Sequence, residues 1–132
     1  MEDLKKFLYK RIPFYSTLGL ELREIGNGQA IFEIEIREEL TQNGVIHGGV
    51  LASLLDSSCG CAAFSLIFPN GYVTTIDLQI EFLKPVSSGR LICKAKCIKS
   101  GRNIFFCKGK VWNEDGELVT TGSSQILKVE MK

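Results

Sequence analysis

Between Glu39 and Asp77 lie 37 residues, and Asp56 is the one formally charged side chain among them. The chain's only histidine, His47, falls in the same interval and is followed by Gly48 and Gly49. A carboxylate in apolar surroundings can serve as a nucleophile or as a general base on water. Two glycines at the start of a helix let a ligand come close to the backbone, where free N–H groups suit a carbonyl oxygen or an oxyanion. Each residue also has a plain structural reading. Asp56 could be hydrogen-bonded to Ser53, Ser57 or a neighbouring loop, because a buried carboxylate is costly without partners. His47 could satisfy a nearby carbonyl in a turn.

The element that positions these groups is legible. From Gly48 to about Phe68 the chain reads as a helix, apolar almost all round and therefore buried, and Pro69-Asn70-Gly71 ends it. Gly48 and Asp56 are eight residues apart, which is roughly 12 Å along a helix. One small carbonyl cannot touch both in the same chain, so a site that uses both must draw them from two subunits. Before this helix, Leu4, Phe7, Leu8 and Arg11 set a short amphipathic helix that Pro13 stops. Leu20–Ile25 and Gln29–Arg37 form a hairpin around Gly26-Asn27-Gly28, and Thr41 to Gly44 is a loop. After it come four strand-like stretches. In Tyr72–Leu83, Thr75, Asp77, Gln79 and Glu81 alternate with Ile76, Leu78, Ile80 and Phe82. Leu91–Cys97, Phe105–Val111 and Leu118–Val129 follow, joined by short turns that predict an antiparallel meander. The expected class is α+β, one antiparallel sheet of five or six strands wrapped around one long buried helix, with an edge left for an oligomer to close.

Totals exclude more than they propose. A chain of 132 residues is expected to form one domain, 1–132. With 16 basic and 15 acidic residues the net charge is +1, which makes no electrostatic case for nucleic acid. The apolar interval holds Asp56 and several serines and has no aromatic or basic belt, so no membrane partner is expected. Five cysteines, an odd number with no C-x-x-C pair, read as buried free thiols in a reducing cytoplasm. One histidine leaves no metal site in view, and the acidic start Met1-Glu2-Asp3 is unlike a signal peptide.

The run NGVIHGGVLASLLDSSCGCAA, Asn43 to Ala63, resembles the signature of hot-dog-fold acyl-CoA thioesterases of the PaaI-like, phenylacetate-pathway type. The likeness extends to Pro13-Phe14 with Leu18-Gly19-Leu20, to Gly44-x-x-His47-Gly48-Gly49 with Asp56 nine residues after His47, and to TTIDLQIEFLKPV. The resemblance implies hydrolysis of acyl-CoA to free acid and CoA, without a cofactor, since CoA is part of the substrate. It implies that the Gly48 N–H polarises the thioester carbonyl, that Asp56 of the other subunit is nucleophile or general base, that His47 organises the site, and that Thr75 orients water or the acid. Many relatives carry asparagine six residues before the histidine, where this chain has Thr41, so Gln42 or Asn43 is the candidate amide. Gly49 is expected beside the substrate. Arg102, with Gly101 in its turn and Lys84 and Arg90 behind it, is the candidate for the CoA phosphates.

Two rivals follow from the same residues. A hot-dog hydratase or dehydratase pairs histidine and acid in a different arrangement. A non-catalytic acyl-CoA binding protein would hold the thioester without releasing thiol. A homodimer assembling into a homotetramer is the expected state.

Overall fold

The computed structural model describes residues 1–130. In chain order the elements are α1 (Glu2–Arg11), α2 (Phe14–Leu18), β1 (Glu21–Gly26), β2 (Gln29–Glu35), a short 3-10 turn (Glu38–Leu40), β3 (Thr41–Gln42), β4 (Val45–Ile46), α3 (Gly48–Phe64), β5 (Tyr72–Phe82), β6 (Arg90–Ser100), β7 (Ile104–Asn113) and β8 (Leu118–Val129). Six strands make one antiparallel sheet in the order β1-β2-β6-β7-β8-β5, with α3 packed on one face. This is the hot-dog arrangement. α3 is four residues shorter than expected, and its continuation to Phe68 is a series of turns. The segment Thr41 to Gly44 is not simply a loop. β3 and β4 pair around Asn43 and Gly44, both in the left-handed region at φ 55° and 82°, the conformation a two-residue hairpin turn requires.

The meander holds for β6, β7 and β8 only. β5 lies at the far edge, paired with β8 and not with β6. Its link to β6, residues 83–89, crosses the end of the sheet. It is held there by backbone bonds from Ile46 N–H to Val86 O (2.7 Å) and from Ile36 N–H to Gly89 O (2.8 Å). Placing β5 outermost leaves an eleven-residue strand with one unpaired side.

Strand alternation supplies the floor under α3. Phe32, Ile34, Leu91, Cys93, Val111, Val119 and Ile126 are buried against Leu51, Leu54, Leu55, Cys59 and Ala62 of the helix. The paired glycines Gly109 and Gly122 form a socket for Leu55. A Cβ at either would stand 2.9 Å or 3.0 Å from a Leu55 methyl. Burial pushes the Cys93 and Cys107 thiols up to about 12, so they pack as neutral, small apolar groups.

Two expectations are corrected here, and both bear on the site. The helix is not buried all round, because Ala52, Ser53, Asp56, Ser57 and Gly60 form a half-buried stripe, turned away from the sheet, at helical spacing. The period-2 pattern of Tyr72–Leu83 is also broken. A bulge between Thr75 and Asp77 leaves Ile76 as the extra, exposed residue (51% accessible). Strict alternation puts Thr75 on the same face as Asp77, Gln79 and Glu81. The bulge turns it to the helix face instead.

Candidate active site

Asp56 sits in the third turn of α3, on the half-buried stripe. Its Oδ1 accepts a 2.6 Å hydrogen bond from the Thr75 hydroxyl. Neither Ser53 nor Ser57 is the partner of Asp56 among the described residues, and Ser53 donates to Gly49 O instead. Asp56 and Thr75 lie in the wall of a groove of about 810 Å³ between α3, the start of β5 and the N-terminal helices. Phe7, Phe14, Tyr15, Phe64 and Tyr72 make much of that wall aromatic. Tyr15 is buried, with its hydroxyl 3.3 Å from Cys61 Sγ. Burial above all, then the neighbouring Cys61, drives the Tyr15 phenol far above its ordinary range, and burial pushes the Cys61 thiol up to about 12. Both stay protonated. Sequence reasoning offers Phe64 for an acyl pocket but misses Phe7, Phe14 and Tyr15, because nothing in their spacing points to one groove.

At the other end of the stripe, His47 is the N-cap of α3. Its Nδ1 accepts the Gly49 N–H at 2.7 Å, and its backbone carbonyl accepts the Val50 N–H at 2.9 Å. Among the described residues no acceptor takes the Gly48 N–H. The first turn therefore presents the Gly48 N–H as a free donor, and it carries the positive end of the helix dipole. Gly49 is committed elsewhere. A Cβ there would lie 2.9 Å from His47 Nδ1, so its missing side chain makes room for the capping ring. Beside Gly48 stands the Phe82 ring, 3.4 Å from where a Cβ would be.

The structure brings Asp56 together with Thr75 and His47 together with Gly48 and Gly49, at two separate places on one helix. Gln42 is exposed on β3 and Asn43 forms its turn, and among the described residues neither amide bonds to Asp56. The Thr41 hydroxyl donates to Glu38 O at 2.7 Å. The cations expected at the CoA phosphates are dispersed. Arg102 lies in the β6–β7 turn, which Gly101 closes by a 2.9 Å bond to Ile104 O. Lys84 is at the opposite end of the sheet, 3.4 Å from Glu117. Arg90 faces away from α3, where Glu33 (3.1 Å), Glu21 (3.1 Å) and Glu35 (3.5 Å) surround its guanidinium. Among the described residues no three metal-ligating side chains converge.

Known proteins share this fold. Residues 43–120, more than half of the chain, match the thioesterase superfamily model. The protein SSO2140 of Saccharolobus solfataricus is 28% identical across 100% of this chain and 99% of its own length. The medium/long-chain acyl-CoA thioesterase YigI of Salmonella typhimurium is 26% identical over 83% of this chain and 80% of its own. A thioesterase family protein from Silicibacter pomeroyi superposes with a TM-score of 0.90 at 27% identity, covering 98% of each chain. With its six-stranded sheet, its one long helix and the matched segment spanning both Gly48 and Asp56, the chain belongs to the thioesterase superfamily.

Proposed function

We propose that the protein is an acyl-CoA thioesterase that converts R-CO-S-CoA and water to R-COOH and CoA-SH. The observation that carries the reading is the Thr75–Asp56 hydrogen bond in the wall of the aromatic groove. It fixes one oxygen of the sole acid on an otherwise uncharged helix and leaves the other free toward the groove. The YigI relative acts on acyl-CoA by its name, and the groove suits an aryl or a short- to medium-chain acyl group.

In this reading the thioester carbonyl oxygen accepts the Gly48 N–H at the positive end of α3, and His47 holds the first turn in place. Asp56 either attacks the carbonyl carbon or takes a proton from the water that does, and the thiolate of CoA leaves. Thr75 is the positioning residue for the carboxylate. Gln42 and Asn43 are the amides nearest in sequence to the site, and Arg102, beside Gly101, takes the CoA phosphates, with Lys84 able to join it only from the second copy. Gly49 serves through His47, and Arg90 is taken up by its three glutamates.

A homodimer completes this site. The open side of β5 carries the exposed Tyr72, Ile76, Phe82 and Leu83, the apolar edge that a second copy would cover. Antiparallel pairing about a two-fold axis near Gln79 sets Leu78 opposite Ile80 and, after the bulge, Thr75 opposite Phe82 of the second copy. Asp56 is bonded to Thr75 and Gly48 packs on Phe82. That register therefore brings the acid of one chain to the free N–H of the other. It also faces Asp77 with Glu81 on the outer surface, where water and salt screen them.

The test is thiol release across a panel of acyl-CoA esters. Asp56→Asn should lower turnover by about 10²–10⁴-fold, the usual contribution of a positioned base, with the oligomer intact. Near-normal turnover by Asp56→Asn refutes the assignment.

A further inference from the structure

Eight of the chain's 16 basic residues fall between Phe82 and Asn113, a run of 32 residues without one Asp or Glu. The fold spreads this run over β6 and β7. Lys94, Lys96, Lys108 and Lys110 are all exposed on the sheet face turned away from α3. Register sets Lys94 directly opposite Lys110 and Lys96 directly opposite Lys108. Like charges in such cross-strand pairs destabilise a sheet. Lys84 and Arg90 have carboxylate partners, but among the described residues none of these four lysines forms an ion pair. The Lys94 ammonium instead stands 5.8 Å over the Trp112 ring. The result is a rectangle of four unneutralised cations, about 5 Å by 7 Å between Cα positions, on a chain whose net charge is only +1.

We infer that this outer face docks on an anionic phospholipid surface. A lysine ammonium is a compact, hydrated point charge without the fork geometry that reads an individual carboxylate or phosphate. Four of them on a flat sheet suit a plane of diffuse negative charge more than a shaped partner. The hairpin that carries them adds an apolar foot, since Ile98, extruded by a bulge between Cys97 and Lys99, is 56% accessible and flanked by cations. The near-neutral total argues against an anionic partner only while the charges are averaged over the surface; on this face the four lysines stand together at the centre, with Glu33 and Glu35 on one side and Asp77 and Glu81 on the other. The Asp56 groove lies on the other side of the sheet and stays open when this face is covered, so the inference stands apart from the reading of Asp56.

The test is co-sedimentation of the whole protein with vesicles. Vesicles of about 30% phosphatidylglycerol in phosphatidylcholine should retain it at low salt, and phosphatidylcholine alone should not. Lys94→Gln, Lys96→Gln, Lys108→Gln and Lys110→Gln together should cut the partition coefficient on the order of a thousandfold, and about 0.5 M salt should weaken the wild type strongly. Removing the like-charge pairs should leave Tm at low salt equal or higher, so lost binding would not reflect unfolding. Should the fourfold variant misfold, Lys94→Gln with Lys108→Gln, one from each pair, gives the same reading with a smaller loss. Equal partition of wild type and variant, no retention on anionic vesicles, or tighter capture by polyglutamate or a polynucleotide at the same salt would each overturn the inference.

Discussion

Replacing Thr75 by valine is the sharpest perturbation of the site, because it removes one hydroxyl and little else. Valine has nearly the same shape, so the β5–β8 pairing and the groove wall are kept. Asp56 Oδ1 loses a 2.6 Å donor. A hydrogen bond to a charged group contributes about 1.5–3 kcal/mol. If the bond orients the carboxylate through the transition state, kcat should fall by about 10–150-fold while KM changes little. Thr75→Ser, which keeps the donor, should recover most of the rate. The assay is steady-state thiol release on the best substrate of the panel, alongside thermal unfolding of each variant. A purely structural Thr75 predicts the reverse, a lowered Tm with kcat intact. The experiment also tests the bulge, since a valine on the outer face of an edge strand would change stability by less than about 0.5 kcal/mol and leave kcat untouched. Unchanged kcat in Thr75→Val with unchanged Tm would refute both the bulge and the positioning role.

Other expectations follow from single contacts. Gly49→Ala puts a Cβ 2.9 Å from His47 Nδ1, so the ring must leave its cap. This should cost about 1 kcal/mol, and a His47→Ala, Gly49→Ala double variant should lose scarcely more than either single one in denaturant melts. Gln79→Cys, close to the proposed two-fold axis, should give an intermolecular disulfide under mild oxidation, visible as a dimer on a non-reducing gel. Its failure to cross-link would exclude pairing of two β5 strands about Gln79. Cys61, Cys93 and Cys107 are held at about 12 by burial, so the folded state keeps protons that the unfolded chain gives up near pH 8.5–9. Stability from this source is whole below that range and is lost as pH rises toward 12. The denaturant midpoint should therefore fall steadily above about pH 9; a midpoint flat to pH 11 would contradict their burial.

How much of this was legible in the sequence depends on whether the signal was local. The helix from Gly48, the hairpin at Gly26 to Gly28 and the strands of the second half are written in period and turn residues, and they stand within a few positions of where the pattern puts them. Asp56 stood out because charge is absent around it. What sequence could not carry was pairing at a distance. The turn residues before β6 look like those of any hairpin, and only the backbone bonds of Ile46 and Ile36 to the 83–89 crossover show that β5 is carried to the far edge. The same holds for Arg90, which reads as a free cation until the fold sets three glutamates from β1 and β2 around it.

Thr75 shows why a functional position can defeat a correct local rule. Alternation over Thr75, Asp77, Gln79 and Glu81 is real in the sequence, and three of the four do face away from the helix. One inserted residue, Ile76, re-aims the fourth. A regular strand could put Thr75 against Asp56 only by slipping its register by one, which would turn Leu78 and Ile80 out to water and Asp77 and Gln79 into the core. Burying those two side chains without partners would cost several kcal/mol. A bulge reaches the same end at the expense of one unpaired residue, and it places that residue on the strand edge that a second copy would cover. The exposed Ile76 and the inward Thr75 are thus one feature, and both are explained if the acid they serve works at the junction of two chains.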